Sequence, residues 1–161
     1  MARTPTPKIG DYFEILLPDG RRAYGQYVFW DGPPNRPASG LGSLVQIYDV
    51  VSHKELSLDD LRSASLLFPP VFTGLKAAIK SGAWRIVGHL PVEGFIFPKF
   101  RSTFGTKPGV YHDWKIWDGE KETFIGDLPA KYRSLEAKVG WGYQLLEDRI
   151  ATGINRYDHL L

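Results

Sequence analysis

The side chains best suited to proton transfer or metal ligation near neutral pH are four histidines, His53, His89, His112 and His159. None stands three or four residues from another, so no His-x-x-x-His or His-Glu-x-x-His pair sets two imidazoles on one metal. His112 shares alternate positions with Val110 and Trp114 and reads as a half-buried sheet histidine. A general base would also need a nucleophile or a second titratable partner, and none is signposted. Cysteine is absent, which removes thiolate zinc sites, iron–sulfur clusters, disulfides and a cysteine nucleophile together. Gly40-Leu41-Gly42 begins like a dinucleotide fingerprint, but Val45 takes the place of the third glycine and a strand follows instead of a helix. There is no Gly-x-Ser-x-Gly elbow and no Walker loop. The expectation is a binding protein, not an enzyme, with no metal and no cofactor.

Charged residues cluster where the histidines do not. Between Asp113 and Asp127 stand five acids (Asp113, Asp118, Glu120, Glu122, Asp127) and two bases, Lys115 and Lys121. Glu120 and Glu122 share one strand face, a spacing that acid–base chemistry can use, although a solvated like-charged face is the plainer explanation. Upstream, Phe95, Phe97, Phe100, Phe104, Tyr111, Trp114 and Trp117 are interleaved with Lys99, Arg101, Lys107 and Lys115. Rings between cations can stack bases and hold phosphates, so a small barrel-like nucleic-acid-binding module using segment 95–117 is the alternative reading. The plainer one is that most of these rings are core. A net charge of +2 sets up no overall field that would draw in nucleic acid or a membrane.

The elements that must position these residues follow from periodicity. Phe13, Ile15 and Leu17 alternate along Asp11 to Leu17, Pro18-Asp19-Gly20 turns the chain, and Ala23 to Trp30 resumes the alternation, which predicts a hairpin. Asp31 to Gly42 reads as an exposed loop, and Leu44 to Val51 as a third strand. Leu58 to Leu61 forms a helical turn, and Pro69-Pro70 closes the first half. Thr73 caps a short helix through Lys80 that Gly82 stops, and Trp84 to Leu90 is a strand. Val110 to Trp117, Asp118-Gly119 and Glu120 to Ile125 read as a second hairpin with a type I′ turn. Its outward face would carry Tyr111, Asp113, Lys115 and Trp117. Tyr143, Leu146, Ile150, Ile154, Tyr157 and Leu161 step by three or four, the spacing of a C-terminal amphipathic helix that Gly153 either weakens by about 1 kcal/mol or ends.

At 161 residues the chain fits a single domain, 1–161, with 1–8 as a flexible tail. Met1 to Lys8 lacks the apolar stretch of a signal peptide, and no run approaches the ~20 apolar residues of a membrane span. A cytoplasmic location is expected. The fold class is α+β: a mainly antiparallel, strongly curved β-sheet or partial barrel, with a short central helix and the C-terminal helix.

Four stretches together resemble the immunity protein 26 family of bacterial polymorphic-toxin systems. They are KIGDYFEILLPDGRRAYGQYV (Lys8 to Val28), VQIYDVV (Val45 to Val51), SGAWRIVGHLP with FPKF (Ser81 to Phe100), and LPAKYRSLEAKVGWGYQLLEDRI (Leu128 to Ile150). The resemblance implies a non-catalytic, mainly β domain with added helices that binds a cognate toxin encoded nearby, and a monomer or weak dimer is expected. It supplies no contact residues. From the residues themselves, the candidate toxin-binding set lies on the second hairpin: Tyr111 and Trp117 as aromatic anchors, and Asp113, Asp118, Glu120 and Glu122 as charge complements.

Overall fold

The alternation from Phe13 onward and the Pro18-Asp19-Gly20 turn produce the expected hairpin, β1 (Asp11–Leu16) antiparallel to β2 (Arg22–Asp31). The computed structural model describes residues 3–34, 40–103 and 113–158. The turn closes because Leu17 donates its amide to the Arg21 carbonyl at 2.8 Å, while Asp19 accepts from the Arg21 amide at 3.0 Å. Opposite Phe13 stands Gly25, where a Cβ would lie 2.5 Å from the Phe13 ring and 2.5 Å from the Gln46 carbonyl. The ring occupies the space a side chain would need.

Two compact units make up the chain, Met1–Phe95 with Gly140–Gly153 and Ile96–Val139 with Ile154–Leu161. The first is built on a six-stranded sheet that adds β3 (Gly42–Tyr48), β4 (Leu66–Thr73), β5 (Trp84–His89) and β10 (Gly140–Trp141) to the hairpin. Its order is β10-β4-β3-β2-β1-β5, antiparallel except between β10 and β4. Alternation marks one apolar face of β1, and the structure buries both. On one side Trp84 stacks on Phe13 at 5.1 Å and donates its indole N–H to Glu147 of α3 (Tyr143–Thr152) at 2.8 Å. On the other, Tyr12, Tyr24 and Tyr48 pack with Leu61 of α1 (Leu58–Arg62). Helix α1 starts at a capping box in which Ser57 and Asp60 exchange side-chain-to-backbone bonds.

Two local expectations are corrected, and the end of the last helix is settled. Pro69-Pro70 does not close a half but lies inside β4, at the point where the register slips from Ile47 opposite Phe68 to Val45 opposite Val71. Prolines are tolerated there because a bulge asks for no ladder donor. Thr73 does not cap α2 (Leu75–Ser81): Gly74 is the N-cap, and the Thr73 hydroxyl donates to the Trp141 carbonyl at 3.0 Å. Helix α3 ends at Gly153, in the left-handed region at φ 74°, so Ile154 and Tyr157 lie beyond it. Its buried residues are Leu146, Arg149 and Ile150. The Arg149 guanidinium lies over Phe68 at 3.9 Å and Trp141 at 5.1 Å, which is how a cation sits on an inward face.

The second unit holds a four-stranded sheet of order β8-β7-β6-β9: β6 (Phe100–Thr103), β7 (Trp114–Trp117), β8 (Glu122–Gly126) and β9 (Glu136–Ala137). The α+β class stands, mostly strand with few helices. In place of one curved sheet or partial barrel there are two open sheets among the described residues, each with two distinct edge strands.

Candidate interaction site

The hairpin expected to carry the site exists as β7 and β8, with Trp117 opposite Glu122 and Lys115 opposite Phe124. Its turn differs from the expected type I′. The Asp118 amide donates to the Lys121 carbonyl at 3.3 Å, so Gly119 and Glu120 are the central pair. Gly119 has φ 97°, and no non-glycine residue among those described has a positive φ. Glycine first and a negative φ second is the pattern of a type II′ turn. Asp118 fixes the turn by accepting from the Glu120 and Lys121 amides, each at 3.0 Å. Those bonds, the one from Lys121 foremost, hold its carboxyl below the usual aspartate value.

The candidate residues are not all on one surface. Asp113, Asp118, Glu120 and Glu122 are exposed. Glu122 is paired on two sides, by Lys138 and, at 3.8 Å, by Lys115. Trp117 is a correction: it is 4% exposed, in contact with Phe97 and Phe100 and with the Lys138 ammonium 4.3 Å above its ring. It anchors the hairpin to its own unit, where a ring meant for a partner would have to be open. Tyr111 and His112 lie outside the described residues.

The basic, aromatic segment is also less available than its composition suggests. Arg101 is 1% exposed, with its guanidinium 5.7 Å from the Trp114 ring and 3.9 Å from Asp158. Its Nε and Nη1 have no hydrogen-bond partner among the described residues. Burial lowers its pKa, against the opposing pull of Asp158 and Glu136. Lys107 lies outside the described residues. Of the four cations interleaved with the rings, Lys99 is exposed and Lys115 is half-buried, 3.8 Å from Glu122.

Two features escaped the sequence reading. Phe124 is 62% exposed on β8, where an apolar residue at a strand centre would ordinarily be read as core. In the first unit a concavity of ≈ 380 Å³ is lined by Tyr12, Gln26, Tyr48, Arg62 and Glu93 among others. Tyr12 and Tyr48 stack there at 6.0 Å, and the Gln26 amide donates to the Gly10 and Leu90 carbonyls. Beside it His89 Nδ1 lies 2.7 Å from Asp11, a pair of residues too far apart in sequence to be matched by spacing. No group of three or more potential metal ligands occurs among the described residues. No helix among them is long and apolar enough to cross a membrane.

The family model for immunity protein 26 matches residues 8–106. No curated protein and no solved structure matches the chain at a significant level. The matched region takes in β1 through β6, including all of the stacked-tyrosine concavity, and stops before β7. Well over half of the sequence is thus accounted for by one family, and the chain belongs to the immunity protein 26 family.

Proposed function

We propose that this chain neutralises a cognate bacterial toxin, encoded beside it, by stoichiometric protein–protein occlusion in the cytoplasm, without catalysis. Membership of the immunity protein 26 family is the observation that carries the reading. The exposed acids of the β7–β8 hairpin, Asp113, Asp118 and Glu120, with Glu122 beside them, complement a cationic rim on that toxin. An occlusive interface of standard size buries about 1,600 Å² in total, of which a hairpin supplies only a part.

The test is co-expression with the toxin domain encoded by the adjoining open reading frame. Growth is restored by the intact chain, and a 1:1 complex is recovered from the cells. A toxin that kills equally well in the presence of this chain would overturn the proposal. The Glu120→Lys/Glu122→Lys double variant localises the contact: it weakens the complex if the hairpin is in the interface. Unchanged affinity at both low and high salt would move the interface elsewhere.

A further inference from the structure

We propose that the concavity of the first unit is a receptor for a guanidinium group, into which the partner inserts an arginine side chain. The partner's identity rests on the immunity reading, whereas the choice of side chain follows from the lining. Pairing across the sheet sets Tyr12, Gln26 and Gln46 in one row over β1, β2 and β3, with Tyr48 opposite Leu66 across β3 and β4. These residues form the floor. The walls come from the end of α1, with Arg62, and from the chain after β5, with Leu90 and Glu93.

Most of the floor's hydrogen-bonding capacity is already used. The Gln26 amide donates to the Gly10 and Leu90 carbonyls at 3.3 and 3.2 Å, and its oxygen accepts from the Tyr48 hydroxyl at 3.4 Å. Burial raises the Tyr48 phenol above its ordinary value, so the floor carries no charge. Two charged side chains, Arg62 and Glu93, line the concavity. Arg62 has a carboxylate within reach, Asp59 at 3.9 Å, one turn back along α1. The Glu93 carboxylate has no hydrogen bond or ion pair among the described residues, and the Gln46 side-chain amide has none either. The charge left uncompensated is therefore negative, and an amide oxygen in the same concavity is free to accept. An acidic occupant would have to compete with Asp59 for Arg62; a basic one meets Glu93 without a competitor. At ≈ 380 Å³ the space lies in the range of about 300–1,000 Å³ common to sites for small groups. A basic side chain also needs its apolar stem covered, and Leu66 and Leu90 are there to cover it. Arginine suits the lining better than lysine. Its planar head divides several donors between a carboxylate and an amide oxygen, sheds water more readily than an ammonium, and packs against tyrosine rings.

The test is an NMR titration of the full chain with Nα-acetyl-L-arginine methylamide and its citrulline, lysine and aspartate counterparts. Blocking removes the backbone charges, so the probes differ in their side chains alone. The arginine probe shifts the Tyr12 and Tyr48 ring signals and the Gln46 side-chain amide saturably, and the neutral citrulline probe binds about fivefold more weakly or worse. Glu93→Gln lowers the arginine affinity about three- to fivefold, as loss of a partly exposed ion pair does. Arg62→Gln leaves it unchanged or raises it. Both positions are exposed, and an unaltered spectrum of each free variant shows that the fold is kept. Absence of binding, citrulline, lysine or aspartate binding as tightly as arginine, shifts confined to other surfaces, or an affinity untouched by Glu93→Gln overturns the proposal. In the complex with the toxin, Tyr12 and Tyr48 signals that stay at their free positions overturn the arginine contact and leave the immunity reading standing. A toxin that the intact chain fails to neutralise overturns the immunity reading, and the titration then decides the concavity by itself.

Discussion

Glu14 lies in the middle of β1 at 8% exposure, on the face where alternation alone leaves room for either solvent or a second layer. Its carboxylate is compensated there, accepting from the Tyr24 hydroxyl at 3.1 Å and Arg85 at 3.0 Å, with Arg22 at 3.5 Å. Glu14→Ala removes an acceptor shared by a phenol and two guanidinium groups, but Arg85 keeps Glu55 at 3.1 Å, Arg22 keeps the His53 carbonyl at 2.8 Å, and Arg85 is largely exposed and screened by water. The expected cost is therefore about 2 kcal/mol, below the roughly 3–5 typical of a sealed pair, and urea denaturation measures it. Gly25→Ala should cost about 1–3 kcal/mol by overpacking against Phe13, and Phe13→Leu in the same chain should recover part of that loss. Asp118 carries an acid dependence. Its folded value lies below the ordinary 3.8, so its support of the turn is complete above that pH and is lost as pH falls through the folded value. A carboxyl titration by NMR showing Asp118 at or above 3.8 would contradict this assignment.

Elements were legible where a local rule sufficed and illegible where a distant partner decided. The Phe13, Ile15 and Leu17 spacing and the Pro-Asp-Gly turn specify the first hairpin locally, and Gly82 and Gly153 both stop helices as glycine at a C-cap does. β4 was hidden because Pro69-Pro70 reads as a break, and only its slipped pairing with β3 makes the two prolines acceptable. The two-residue strands β9 and β10 have no periodicity to read at all. In the candidate site, the acids are exposed on the hairpin, as charged side chains at its turn and edge ordinarily are. Trp117 is not, since its cover comes from Phe97 and Phe100, and alternation cannot say which side a remote ring will fill. Arg149 was missed for the same reason: its inward position depends on Phe68, far off in sequence. The helix stop itself is testable. A Cβ added at Gly153 would meet nothing within 4 Å, so Gly153→Ala should cost about 1 kcal/mol through backbone strain alone, seen as a lower urea midpoint with unchanged slope.

At the scale of the whole molecule, the near-balance of 20 basic and 18 acidic side chains bears directly on how a partner is found. A strongly acidic immunity protein would attract a basic toxin from a distance; this one has a formal net charge of +2, so a long-range field does not favour that encounter. On the proposed reading, attraction comes from the local acids of the β7–β8 hairpin, acting within about one Debye length, roughly 10 Å at 0.1 M salt. Two consequences separate this from global steering. The association rate with the toxin should fall only about tenfold or less as salt is raised from roughly 0.05 to 0.5 M, against the steep losses seen when whole surfaces are complementary. Glu120→Lys/Glu122→Lys should remove that dependence while leaving the dissociation rate within a few-fold, because rim charges act mainly on encounter. Stopped-flow association across a salt series gives both numbers. A double variant with unaltered salt dependence would show that the encounter is steered by charges outside the hairpin.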